Sequence, residues 1–319
     1  MLLSVLIIVI GFILLIKGAD WLVTGSSALA KKHNVSDLVI GLTIVAFGTS
    51  TPELVVNSVA SFQQHSDIVF GNILGSNIVN LFFILGIAGL IYPITVHSNT
   101  VWKEIPISVL AVIVLLLLSN GFIMTGTNVL SRIDGAILLA FFAGFLYYIF
   151  IQMKTDRLDL GEENLKHMTN LKIWVLIIIG LAGLVAGGKL VVDHSIKIAT
   201  LLGVSEKIIG LTIVAIGTSL PELMTSVVAA LKKNSDIAIG NVIGSNIFNI
   251  FFILGVSSMI NPVQFNPAFN TEMYLIAGGT LVLFIAMFTG RRKKLDRWEG
   301  AVLVGIYLLY IGWLINGEV

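Results

Sequence analysis

The sequence predicts an all-α polytopic membrane protein whose ten transmembrane helices form two inverted-topology five-helix repeats. Three observations carry this. Of 319 residues, 56% are hydrophobic and only 12% charged, giving a mean hydropathy of +0.99. Apolar windows of roughly 17 to 25 residues, long enough to cross a bilayer as helices, recur along the whole chain. One stretch of sequence also occurs twice, at an offset of 169 residues, with its copies five spans apart.

The spans follow in order. Leu2 to Thr24 opens the chain, and MLLSVLIIVIGFILLIKG lacks the basic n-region and small-residue cleavage site of a removable signal, so it reads as the first span. Ser36 to Phe62, Ile68 to Ile91, Trp102 to Asn120 and Ile133 to Met153 complete the first half. Leu171 to His194, Glu206 to Leu231, Ile237 to Ile260, Thr271 to Thr289 and Trp298 to Ile315 repeat the series. These runs are too long for the strands of an outer-membrane barrel, which alternate in polarity over about 10 residues. The expected division is therefore residues 1–153, a cytoplasmic linker at 154–170 (KTDRLDLGEENLKHMTN), and 171–319.

Orientation follows from Lys and Arg, which cytoplasmic loops carry in excess. Lys31 and Lys32, Lys103, the set Lys154, Arg157, Lys166 and Lys172, the pair Lys232 and Lys233, and the run Arg291, Arg292, Lys293, Lys294 and Arg297 fall on alternate connections. Those connections are cytoplasmic, both termini face outward, and the opposite loops hold little beyond Arg132, Lys197 and Lys207. A cell (inner) membrane location is expected. The net charge of +1 adds nothing to this asymmetry. Cysteine is absent, which excludes disulfides, thiolate metal sites and cysteine catalysis. No nucleic-acid-binding signature is present.

From Ile40 to Gly86 against Ile209 to Gly255, roughly two-thirds of positions are identical, so the chain is a fused duplication. Five spans per half, an odd number, place the second copy upside down. Inverted halves related by an in-plane two-fold axis are a signature of secondary transporters, with the substrate site at the midplane between them.

The duplicated segments hold the chemistry. GLTIVAFGTSTPEL (Gly41 to Leu54) and GLTIVAIGTSLPEL (Gly210 to Leu223) put Glu53 and Glu222 inside apolar spans. A carboxylate at membrane depth costs several kcal/mol, so each marks a functional site. Pro52 and Pro221 donate no backbone hydrogen bond and free carbonyls around Gly48 to Thr49 and Gly217 to Thr218. Such backbone is tolerated in the membrane only where it lines a cavity or packed site, and a bound cation would satisfy it.

The following spans carry GNILGSNIVN (Gly71 to Asn80) and GNVIGSNIFN (Gly240 to Asn249). Ser76 and Asn80 are four apart, as are Asn72 and Ser76, so they share one helix face; Asn241, Ser245 and Asn249 repeat the arrangement. Every ligand offered is an oxygen, from carboxylates, Ser and Thr hydroxyls, Asn amides and freed carbonyls. That suits hard cations: calcium accepts six to eight oxygens in flexible geometry, whereas magnesium demands a strict octahedron. Two carboxylates neutralise one divalent ion, two sodium ions or two protons, which is the arithmetic of an exchanger.

These paired cassettes resemble the alpha-repeats of the cation/calcium exchanger superfamily, specifically its prokaryotic sodium/calcium exchanger branch. The resemblance implies two inverted five-helix halves with four central ion sites. It makes Glu53, Glu222, Thr49 and Thr218 calcium ligands, and places Ala46, Ser50, Ser76, Ala215, Ser219 and Ser245 at flanking sodium sites. Asn80 and Asn249 join the coupling-ion set, at the position where studied sodium/calcium exchangers carry an Asp in one half; here both are Asn. It further implies that the first and sixth spans slide across the other eight.

The activity expected is antiport of calcium against sodium, with proton or potassium-linked exchange as the alternative. An intramembrane carboxylate-dyad hydrolase and a passive channel are the rivals from other classes. The partners expected are inorganic cations and the lipid bilayer, with the chain acting as a monomer without a cofactor. Asn80 and Asn249 also serve as packing amides in a second reading, and Asn72, Asn77, Asn241 and Asn246 are expected to be structural. Lys17 with Asp20, and Lys189 with Asp193, read as local pairs at span ends. His33, His65, His97 and His167 fall in loops and His194 at a span end.

Overall fold

Inside a bilayer each backbone N–H and C=O must be paired within the protein, so long apolar windows fold as helices. A computed structural model describes residues 2–96, 100–122, 128–155, 168–202, 215–289 and 293–318. The first half holds α1 (Leu2–Lys32), α2 (Asp37–Thr49), α3 (Thr51–Phe62), α4 (Ser66–Ile91), α5 (Thr100–Ser119) and α6 (Arg132–Thr155). The second holds α7 (Asn170–Leu201), α8 (Ala215–Thr218), α9 (Leu220–Leu231), α10 (Ser235–Ile260), α11 (Asn270–Ala286) and α12 (Arg297–Glu318). Among the described residues, seven helices are long and apolar enough to cross a membrane, and the bent pair α2 and α3 makes an eighth.

Helix positions agree with the sequence to within a few residues except at two ends. The first and sixth spans run on to Lys32 and Leu201, which puts His194 inside α7. Residues 206–214 of the seventh span, together with His97, Arg157, Lys166, His167, Lys207, Arg291 and Arg292, lie outside the described residues.

Both proline breaks fall where the sequence places them. Pro52 lacks the N–H that would bond the Gly48 carbonyl, so the helix stops at Ser50 (φ −82°, ψ 8°) and restarts with Pro52 in its first turn, where proline is tolerated. The resulting bend is 47°. Ser219 (φ −86°, ψ 7°) and Pro221 repeat this between α8 and α9. Wider π turns at Val79–Ile84 and Phe248–Ile253 interrupt α4 and α10 at matching positions, a feature frequent at functional sites.

The helices that carry the asparagine cassettes form the centre of the bundle. The apolar windows of α4 and α10 are 78% and 94% buried, against 22% for α1 and 33% for α7. α1 and α7 instead pack on each other through small residues. A Cβ on Gly18 would stand 2.7 Å from the Gly180 carbonyl oxygen, and one on Gly187 would stand 2.7 Å from that of Gly11. Contacts rising along one helix while falling along the other make the pair antiparallel. Because the obstacle at Gly18 is backbone, Gly18→Leu is expected to overpack the seam at a cost of about 1–3 kcal/mol and to lower the unfolding midpoint in detergent. An unchanged midpoint would mean that the seam is loose.

Four short strands, which the sequence did not announce, join the halves. Ile94–Thr95 (β1) pairs antiparallel with Lys294–Leu295 (β4), and Val129–Leu130 (β2) with Val263–Gln264 (β3). Ser66 Oγ accepts from the Gln264 N–H at 3.0 Å, and its counterpart Ser235 Oγ accepts from the Thr95 N–H at 3.2 Å.

The expected local pair of Lys17 with Asp20 is replaced by a tertiary one. Lys232 Nζ reaches the Asp20 carboxylate at 2.7 Å, the Asp20 carbonyl at 3.0 Å and Thr24 Oγ1 at 2.7 Å, tying α1 to the end of α9. Both partners are partly exposed, so the bridge is worth about 1 kcal/mol or less.

Candidate functional site

The two broken helices and the two central helices meet around Glu53 and Glu222, each 1% exposed. Contacts cross between the halves. Ser50 Oγ donates to Glu222 Oε1 at 3.0 Å, and its counterpart Ser219 Oγ lies 3.5 Å from Glu53 Oε1. Ser76 Oγ stands 3.4 Å from Glu53 Oε1 and 3.3 Å from Ser219 Oγ. Each carboxylate is thus held by the GTS serine of the opposite repeat.

Thr49 Oγ1 has one proton and three acceptors within reach: the carbonyls of Val45 (3.0 Å) and Ala46 (3.2 Å), and Asn241 Oδ1 (3.0 Å). The Asn241 amide nitrogen faces Ser226 Oγ at 2.9 Å and the Glu222 carbonyl at 3.2 Å, which fixes its oxygen toward Thr49. Ala46 is fully buried, and a Cβ on Gly244 would come within 2.8 Å of its own, so glycine is required there. Ala215 begins α8.

Asn80 and Asn249 lie in the two π turns and are 1% exposed. Asn80 Nδ2 donates to Asn246 Oδ1 at 3.1 Å, and Asn249 Nδ2 donates to Asn77 Oδ1 at 2.9 Å, again a matched exchange between halves. Their nitrogens serve packing while their oxygens stay free, so the two readings of these residues are compatible. Asn72 Nδ2 is bonded to Asn57 Oδ1 at 2.6 Å.

The unsatisfied atoms define the chemistry. Glu53 Oε2, Glu222 Oε2, Asn80 Oδ1, Asn249 Oδ1, Thr218 Oγ1 and Ser245 Oγ are buried without a hydrogen-bond partner. Buried polar atoms in native proteins are nearly always paired, so such a set calls for a ligand or water. All six are oxygens and two belong to carboxylates, which suits a hard cation. No third acid joins them: among the described residues, no group of three or more His, Cys, Asp or Glu side chains comes together.

Sequence reasoning missed the acceptors that orient these residues. Asn77 and Asn246 read only as structural, yet they aim Asn249 and Asn80; their recurrence at the offset of the glutamates was the available signal.

The family model described as sodium/calcium exchanger protein matches residues 3–151 and 172–316, nearly the whole chain. The chain belongs to the sodium/calcium exchanger family. It is 34% identical over 343 residues to the sodium/calcium exchanger MaX1 of Methanosarcina acetivorans, covering 96% of this chain and 97% of that one. It is 35% identical to the inner membrane protein YrbG of Escherichia coli, covering 98% and 97%. Among solved structures, the sodium-calcium exchanger NCX_Mj soaked with zero Na+ and Ca2+ matches with TM-score 0.83 and 36% identity, over 98% of this chain and 99% of that one. Members of this exchanger family are transporters rather than enzymes, which removes the hydrolase reading. The chain is a multi-pass membrane protein of that family.

Proposed function

We propose that this chain is a secondary active antiporter that exchanges calcium for sodium across the cell membrane by alternating access. The observation that carries the reading is the set of six unpartnered buried oxygens, drawn from both repeats, around two carboxylates. Glu53, Glu222, Thr49 and Thr218 would hold calcium. Ala46, Ser50, Ser76, Ala215, Ser219, Ser245, Asn80 and Asn249 would complete the sites for the coupling ion. Two carboxylates balance either one calcium or two sodium ions, so the two cargoes compete for the same charges.

Ten spans, in two inverted halves at 1–153 and 171–319 joined by 154–170, give the bundle its symmetry. The antiparallel seam of α1 and α7 supports the inversion, since these are the first helices of the two halves. The ladders support the assignment of faces. β1 with β4, and β2 with β3, each join loops that the Lys and Arg distribution puts on one side. Both termini then face outward, and α1 and α7, being peripheral, are free to slide against the rest. The chain is proposed to work as a monomer, since both carboxylates lie within it.

Exchange against protons or potassium is the second reading, favoured by the neutrality of Asn80 and Asn249 at the cage. Proteoliposomes loaded with sodium, potassium or acid, and given external radioactive calcium, distinguish the two. Calcium uptake driven by the outward sodium gradient is the expected result. Uptake that follows only the proton or potassium gradient would favour the second reading, and uptake with no gradient at all would point to a channel.

A further inference from the structure

The last two helices of each half share a device that lies outside the central cage. Tyr148 on α6 donates its hydroxyl to Glu104 Oε1 near the start of α5. Tyr310 on α12 donates to Glu272 Oε1, in the first turn of α11, at 3.2 Å. In both pairs the other carboxylate oxygen, Glu104 Oε2 or Glu272 Oε2, is buried and has no hydrogen-bond partner. A buried carboxylate oxygen without a partner calls for a cation or a water to fill that role.

Access separates the two pairs. Glu104 is 0% exposed. Glu272 lines a cavity of about 460 Å³ that runs along α4 past Asn72 and Gly75 to Ser76 and also touches Thr218. Ser76 is the hydroxyl beside Glu53, so this cavity leads from Glu272 to the central cage. The matching strip of α10 is closed: a Cβ on Gly240 would stand 3.0 Å from the Leu38 carbonyl, and one on Gly244 2.8 Å from Ala46 Cβ. On α4, a Cβ on Gly75 would meet nothing within 4 Å among the described residues.

We infer that Glu272, held by Tyr310, is a staging site for hard cations at the outer mouth of the passage to the cage. The naming of faces and of calcium as cargo rests on the exchange reading above. A single carboxylate in a mostly apolar passage concentrates cations by focusing the field. With one charge and few neighbouring oxygens it holds an ion weakly enough to pass it on, as conduction through successive sites requires.

Terbium(III), a hard oxygen-seeking ion whose emission a nearby tyrosine sensitises, tests the site whether or not the chain exchanges calcium. The full chain in detergent, carrying Glu53→Gln and Glu222→Gln, is expected to retain saturable tyrosine-sensitised emission. That emission is lost on adding Glu272→Gln and kept with Glu272→Asp. Titrations that are the same with and without Glu272→Gln overturn the proposal. If the multiple variant does not fold, the same comparison in the otherwise unmodified chain reads the loss of one terbium per molecule.

In oriented vesicles, Glu272→Gln is expected to raise the half-saturating calcium concentration on the outer face roughly tenfold at low ionic strength. The value on the cytoplasmic face stays as it was. An equal rise on both faces marks a merely structural role and overturns the staging site. Absence of calcium uptake in the unmodified chain would defeat the exchange reading alone, and the terbium titration would still decide this one.

Discussion

Glu53→Gln, or Glu222→Gln, is expected to cut sodium-driven calcium uptake by at least about 100-fold while the protein still inserts and elutes as a single species. The glutamine keeps one oxygen and nearly the same volume, so Ser50 can still donate at position 222 and Ser219 can still approach position 53. What disappears is one of two negative charges at a site 1% exposed to solvent. A divalent ion would then carry one uncompensated charge in a low-dielectric interior. Leaving a buried charge unpaired costs about 3–5 kcal/mol, and each 1.4 kcal/mol is a factor of ten in affinity. The loss should be of the same order for either residue, because each repeat supplies one carboxylate. Initial rates of calcium uptake in proteoliposomes check this; a variant retaining half the activity would show that its carboxylate is not a ligand.

Asn249→Asp should change the number of charges moved per cycle. With Asn at 80 and 249 the proposed site has two carboxylates, enough when ionised to balance one calcium or two sodium ions, so the native exchange is expected to be electroneutral and insensitive to an imposed membrane potential. An Asp at 249 adds a third charge and room for a third sodium, and uptake should then follow the potential. Calcium affinity should rise by about tenfold, the equivalent of about 1.4 kcal/mol. The substitution also sets an oxygen against Asn77 Oδ1, now 2.9 Å from Asn249 Nδ2, so the Asn77 amide must turn over and lose its 3.4 Å contact with the Asn246 carbonyl. That readjustment predicts some loss of stability alongside the gain in charge. Potential-clamped vesicles measure the first effect, and identical potential dependence in both proteins would mean that position 249 does not set the charge count.

Much of this arrangement was legible in the sequence because it depends on local chemistry repeated at a fixed offset. Pro52 and Pro221 announce the two breaks, since a missing N–H acts within four residues whatever surrounds it. Glu53 and Glu222 stand out as candidates, since a carboxylate in an apolar run is costly in any fold, and the structure buries both. Relations that arise only when distant segments meet were not legible. The crossed bonds from Ser50 to Glu222 and from Ser219 to Glu53 require knowledge of how the halves interlock. Asp20 was matched with Lys17 on helical spacing, but Lys232 reaches it from more than 200 residues away. Glu104 and Glu272 escaped notice because an acid near a span end reads as interfacial; only their buried, unpartnered oxygens and their tyrosine partners show otherwise. The short ladders were equally hidden, since two-residue strands leave no periodicity.

In the proposed mechanism, one carboxylate from each repeat forms a single site which calcium and sodium occupy in turn. Equilibrium binding of radioactive calcium to the purified chain, across a series of sodium concentrations, tests it most directly. One calcium per chain is expected, displaced competitively by sodium and lost in Glu53→Gln and in Glu222→Gln alike. Calcium that binds undiminished in either variant, or that sodium cannot displace, would contradict a shared site.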